Sequence, residues 1–286
     1  MAHARIAVVV TITLACTSSA IAQHELLVSS DSQFFGTFTP LVNDFDSQRG
    51  PTGPISVSAT STGIGARGEA YDYQSSVLAT FGFARLQTSA SVSPTSSSRN
   101  GSGSASAVLD WSDTVNINPT NPANIGTVAD WTFSFAITGA SSAVDPSGQN
   151  RALTLWNLQM STDISSSPFY AAQHDPNTGY TGDPFGIYQV TLQVTLGHDT
   201  PFVGNILAYS DSSNIDDGIS GARTSEMNLL NTFQWLGTDS VKIGSTDVTY
   251  SSISSSSGAD WESVIVPSPS TGLALILGLS LATRRR

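Results

Sequence analysis

Lysine is almost missing from this chain: Lys242 is the only one in 286 residues, and there are only four glutamates. The 11 basic side chains face 22 acidic ones, for a net charge of -11. A surface this acidic repels phosphate, which excludes a nucleic-acid partner. Charged residues make up 12% of the chain, against about 25% in ordinary soluble domains, so hydroxyls and amides must do the solvating. The single cysteine, Cys16, has no mate, which excludes a disulfide scaffold and a thiolate zinc site. No G-x-S-x-G elbow, HExxH or Walker loop is present, so the common hydrolase and nucleotide motifs are missing too.

What the chain has in quantity is hydroxyl: 46 Ser and 30 Thr, accompanied by 24 Gly. That composition favours strands and turns over long helices.

The two ends read as addresses. His3 and Arg5 precede a short apolar core, Ile6 to Ala15, and Ala20-Ile21-Ala22 supplies a small-x-small cleavage site that leaves Gln23 as the first mature residue. Residues 1–22 are therefore expected to be a secretory signal helix, too short to span a bilayer. At the other end stand Val266, Pro267, Ser268 and Pro269, then an apolar run from Gly272 to Ala282, then Arg284, Arg285 and Arg286. The prolines break any preceding element. The apolar helix reaches about 20 Å into a bilayer, and the arginines hold its end on the cytoplasmic side.

This order of Pro motif, apolar helix and Arg cluster resembles the PEP-CTERM sorting signal of Gram-negative bacteria, with Ser268 where that family most often has Glu. The resemblance covers about the last 21 residues. It implies export machinery and an exosortase-type sorting enzyme as partners, membrane contact through the tail, and a destination at the cell envelope or outside it. Removing both ends leaves 7 basic against 22 acidic residues, about -15. Asn231 to Trp235, followed by a Val-rich hairpin and Asp260-Trp261, also resembles the end of many PEP-CTERM substrates.

Between the ends, residues 23–262 are expected to form one β-domain, with 263–286 as the sorting tail. Ala129, Trp131, Phe133, Phe135 and Ile137 alternate with polar neighbours, as do Tyr188 to Leu196 and Ala105 to Ile117. That period of two buries one face of a strand and wets the other. Ile55 to Ala59 and Val77 to Phe83 form shorter strands, the latter with Leu86 out of phase. From Leu153 to Met160 the apolar phase slips, which predicts a β-bulge and allows Trp156 to point outward. Phe233 to Tyr250 reads as a closing set of short strands, with Glu226 to Leu230 an alternative helical turn. Nine to eleven strands make a two-sheet, jelly-roll-like β-sandwich. Pro94 to Ser104 and Ser251 to Gly258 are expected as rim loops, the second as a tether to the tail.

Candidate chemistry is sparse. His174-Asp175 and His198-Asp199 are sequence neighbours, which on a strand face opposite ways and make no dyad. Glu69, beside Tyr71 and Tyr73, is the best single acid, but glycoside hydrolysis needs two facing each other. A non-enzymatic protein is therefore expected. Asp211, Asn214, Asp216 and Asp217 cluster oxygen ligands that can attract Ca2+, without the EF-hand spacing. The loop around Asp175, Asn177, Tyr180 and Asp183 combines a ring that can stack on a sugar with hydroxyl-binding acceptors. The expected function is an exported surface or matrix protein associated with exopolysaccharide, with a lectin-like module, calcium-assisted or not, as the alternative and a secreted hydrolase as the third reading.

Overall fold

The computed structural model describes residues 24–36, 39–51, 53–65, 68–93, 101–147, 152–214 and 222–265. The expected signal, with Cys16, Ala20, Ala22 and Gln23, and the tail from Val266 to Arg286 lie outside the described residues. So do Asp216 and Asp217.

Among the described residues fifteen strands, more than the nine to eleven expected, form two antiparallel sheets packed as a sandwich. In chain order they are β1 (Glu25–Gly36), β2 (Thr39–Gly50), β3 (Ile55–Ile64), β4 (Ala70–Thr80), β5 (Phe83–Ser93), β6 (Gly101–Pro119), β7 (Val128–Val144) and β8 (Ala152–Thr162). Then follow β9 (Tyr170–Asp175), β10 (Gly179–Gly182), β11 (Gly186–Thr195), β12 (Thr200–Asn214), β13 (Arg223–Ile243), β14 (Thr246–Asp247) and β15 (Tyr250–Ser255). The first sheet runs β10-β9-β8-β12-β6-β1-β2, with β15 also on β6; the second runs β11-β7-β13-β5-β4-β3, with β14 on β13. Among the described residues the only helical element is a 3-10 turn at Pro122–Asn124.

The alternating segments behave as their period dictates. Ala129, Trp131, Phe133, Phe135 and Ile137 of β7 are all buried, and Ala105 to Ile117 line the inward face of β6. Trp131, Phe133, Phe202, Trp235 and Trp261 pack ring on ring, with Phe133 and Trp235 centroids 4.5 Å apart and Trp235 and Trp261 4.7 Å apart. Each such side chain contributes about 1.5–3 kcal/mol by leaving water.

Several local expectations are corrected. Val77 to Phe83 is not one strand: Thr80 pairs with Phe83 across a two-residue turn. Gly82 takes the positive φ of 73° that this turn needs, and Leu86 is out of phase because the chain has reversed. The β8 strand carries no bulge. It keeps register with both neighbours, burying Ala152, Thr154, Trp156, Leu158 and Met160 and leaving Leu153 and Leu155 on the outer face. Trp156 accordingly points inward and is fully buried. Residues 223–243 form one long strand, so Glu226 to Leu230 is not helical. Its register slips four times against β7, and each slip resets the period of two. Gly237 marks one slip at φ 107°.

Residues 101–104 belong to β6, and Ser251 to Ser255 is strand β15 rather than a tether. Beyond it the chain is pinned. The Asp113 carboxylate, almost fully buried, accepts hydrogen bonds from Ser256 Oγ (2.7 Å), Ser257 N (3.0 Å), Ser257 Oγ (2.6 Å) and Trp261 Nε1 (2.7 Å). Ile265 N–H donates to the Trp235 carbonyl at 3.2 Å. The packed structure thus continues three residues past the expected boundary at Glu262.

Candidate functional site

The hairpin β9–β10 lies at one edge of the first sheet, beside β8. The register sets Leu155 opposite Gln173 and Gln173 opposite Thr181, with Asn157 opposite Ala171 in the next row. These side chains alternate with the inward Trp156 and Ala172, so they share the outer face. They line a depression of about 400 Å3, with Phe169 and Gly182. Phe169 is 60% exposed. It is held at the rim by Ser167, whose backbone N–H donates to the Met160 carbonyl and whose Oγ accepts from Met160 N–H. The lining holds an aromatic ring, two amides and a hydroxyl, and no titratable side chain.

The four residues singled out from sequence lie on or beside the same hairpin but do not line the depression, and three of them brace the hairpin. Asp175 Oδ1 accepts from Asn177 N (2.9 Å) and Thr178 N (2.8 Å), and its other oxygen accepts from the Thr178 hydroxyl. The Thr178 hydroxyl leads in holding the Asp175 carboxyl below the usual carboxylate range. Tyr180 OH accepts from Trp156 Nε1 at 2.9 Å and donates to the Asp183 carbonyl at 2.6 Å. Asp183 Oδ2 accepts from Ala171 N at 2.8 Å. Asn177 is exposed at the hairpin tip. Tyr170 of β9 lies 4.9 Å from Tyr188 of β11 in the other sheet, and Tyr188 stacks on Phe135. Burial, with Asp183 next, pushes the Tyr188 phenol up to about 12.

Sequence reasoning missed Phe169, Asn157 and Thr181. The available signal was the setting of Phe169: a ring directly after Ser165-Ser166-Ser167-Pro168 belongs to no alternating pattern and so has no face to bury.

Other candidates are placed elsewhere. His174 Nδ1 faces the hydroxyl and carbonyl of Ser141, both at 3.1 Å, away from the Asp175 carboxylate bonds. His198 is exposed, and Asp199 accepts from Asn116 at 3.0 Å. Glu69 is 3% exposed, and Tyr71 stacks on Phe34 at 4.0 Å rather than opening a groove. Asp211 lies on the outer face of β12 opposite Leu153, where its Oδ2 accepts from Tyr209 OH at 3.0 Å. Burial pushes its carboxyl up to about 6. The Asn214 backbone ends the same strand. Among the described residues no group of three or more His, Cys, Asp or Glu is placed to hold a metal ion.

No family model matches the chain, and no curated protein matches it. One solved structure is similar, from work on the promiscuous specificity of carbohydrate-binding modules of the β-sandwich superfamily. It is 11% identical, covers 77% of this chain and 95% of its own, and has a TM-score of 0.17. A likeness at that TM-score carries no argument for fold or ligand.

Proposed function

We propose that the chain is an exported, non-enzymatic surface or matrix protein that holds polysaccharide on the outer face of β8–β10. The observation that carries this reading is the lining of the depression. An exposed ring offers a stacking surface for a sugar, and Gln173, Asn157 and Thr181 offer donors and acceptors for its hydroxyls. With no titratable group on that lining, it has no acid or base there and nothing to activate the Thr181 hydroxyl, so it fits holding rather than transforming a ligand. Carboxylates elsewhere are engaged in structure: Asp113 in the C-terminal strap, Asp145 in a fully buried ion pair with Arg223, and Asp175 and Asp183 in the hairpin.

The PEP-CTERM-like tail supplies the address in this reading. The packed domain extends as far as Ile265, directly before the Pro motif in sequence. An exosortase-type enzyme and the export machinery are the proposed sorting partners.

The test is a glycan array and polysaccharide pull-down with the full chain, with calcium and then with EDTA. Retention that survives EDTA supports the reading as stated. Retention abolished by EDTA replaces it with the calcium-assisted lectin, and absence of retention by a folded chain removes the polysaccharide partner.

A further inference from the structure

The described residues include four cationic side chains, Arg49, Arg85, Arg223 and Lys242. Three have a carboxylate: Arg49 lies 3.5 Å from Glu25, Arg223 3.1 Å from Asp145, and Lys242 3.7 Å from Asp247. Arg85 has none among the described residues. In a chain with twice as many acids as bases, an arginine without a carboxylate is the exception to be accounted for.

Arg85 sits on the outer face of the second sheet. The register sets Ser56 opposite Leu78 and Leu78 opposite Arg85; in the next row Ser58 faces Ser76, and Ser76 faces Gln87. These side chains line a pocket of about 270 Å3. The Arg85 guanidinium carbon lies 5.4 Å from the Phe83 ring centroid. Its Nε is shut off from water and has no acceptor, an arrangement that carries an unreturned desolvation cost. Asp46 of β2 also lines the pocket but does not reach the arginine as an ion pair.

We propose that this pocket binds the carboxylate of an acidic sugar residue, with Arg85 holding the anion and Ser56, Ser58, Ser76 and Gln87 meeting the ring hydroxyls. The planar guanidinium matches a carboxylate by paired hydrogen bonds. Neighbouring hydroxyls and an amide, spaced along two rows of a sheet, match a polyol better than a bare ion. The net charge of -11 opposes any general attraction to a polyanion, so acid-dependent affinity has to come from a specific cation. The proposal extends the polysaccharide reading but uses a different sheet and a different chemistry from the Phe169 depression.

The test is calorimetric titration of the full chain with trigalacturonate, its fully methyl-esterified form and a sulfated galactotriose. The acid is expected to bind, with Arg85→Gln lowering its affinity roughly tenfold or more, as loss of a charge-assisted pair requires. The ester should bind no better to the native chain than the acid binds to Arg85→Gln. Asp46→Asn should tighten the acid by roughly two- to threefold by removing a like charge. If Arg85→Gln does not fold, Gln87→Ala on the neighbouring row serves instead and should weaken the acid severalfold. Retention of the array glycan should persist in Arg85→Gln while trigalacturonate binding falls, which separates this site from the depression. Equal affinity for acid and ester, undiminished binding by Arg85→Gln, preference for the sulfated sugar, or no binding of the acid overturns the proposal.

Discussion

Along β1 the inward side chains run Leu26, Val28, Ser30, Ser32, Phe34, and along β12 they run Phe202, Gly204, Ile206, Ala208, Ser210, Ser212. The interior thus changes character along the strands. Where Phe202, Trp235 and Trp261 meet, the sheets are joined by rings. Farther along, hydroxyls cross the same gap: Ser30 to Ser75 at 2.8 Å, Ser32 to Ser61 at 3.0 Å, and Thr88 to Ser210 at 2.7 Å. Several also reach backbone carbonyls of the opposite sheet, as Ser75 does to Asp31 and Ser61 to Ser32. A small aromatic cluster of Phe34, Tyr71 and Tyr73 lies beyond this band. A buried hydroxyl is tolerated when it is paired and costly when it is not, so the polar region is held by paired hydroxyls, where the ring-packed region is held by volume and by a few indole N–H bonds such as Trp261 Nε1 to Asp113.

The difference predicts how each region fails. The largest loss belongs to the ring-packed region. Trp261→Ala removes a fully buried indole and one of the two donors to Asp113 Oδ2, and should cost ~3–5 kcal/mol in urea unfolding of the full chain. Asp113→Ala leaves the Ser256, Ser257 and Trp261 donors without their acceptor and should cost about 3 kcal/mol. A loss below about 1 kcal/mol for either would mean that the C-terminal strap contributes little to the core.

The polar end of β12 should respond to pH through a carboxylate on its outer face. Asp211 has a folded carboxyl near pH 6, above the ordinary value of 3.8, chiefly because it is buried. Between those values the folded state holds more protons than the unfolded one, so stability falls as pH rises from about 4 to about 6. Asp211→Asn should flatten that fall by about 2 kcal/mol, read from unfolding midpoints at pH 4 and pH 7. An unchanged slope in the variant would assign the effect to other groups, such as Asp31 and Asp110, which burial also raises.

The smallest effects sharpen the comparison most. Ser75→Ala alone should cost about 1–2 kcal/mol, because Ser30 is left buried beside a methyl group. Ser30→Ala combined with Ser75→Ala should cost no more than the single change, a coupling that a double-mutant cycle measures. Simple addition of the two losses would show that the hydroxyls do not act as pairs.

The contrast also marks what the sequence discloses. Segments of the ring-packed interior were legible because Trp131 to Ile137 and Tyr188 to Leu196 alternate without interruption. Much of the polar interior was not, since Ser30, Ser32, Ser210 and Ser212 look the same by composition whether they face water or another sheet. Strands β1, β2 and β12 therefore went unseen, and the bulged β13 read as fragments. At the candidate site the Gln173–Pro184 segment drew attention for the right side chains in the wrong roles. Asp175, Tyr180 and Asp183 are polar because the hairpin needs internal acceptors and a bridge to Trp156, a demand visible only once β8 lies beside it.

In the proposed function the outer face of β8–β10 holds a sugar against Phe169. Affinity electrophoresis of the full chain through gels containing the glycan it retains, comparing the native protein with Phe169→Ala, tests this most directly. Loss of a stacking ring worth about 1–3 kcal/mol should reduce affinity roughly tenfold while the unfolding midpoint stays in place. Equal retardation of the two proteins would contradict this and move the polysaccharide contact to another face of the sandwich.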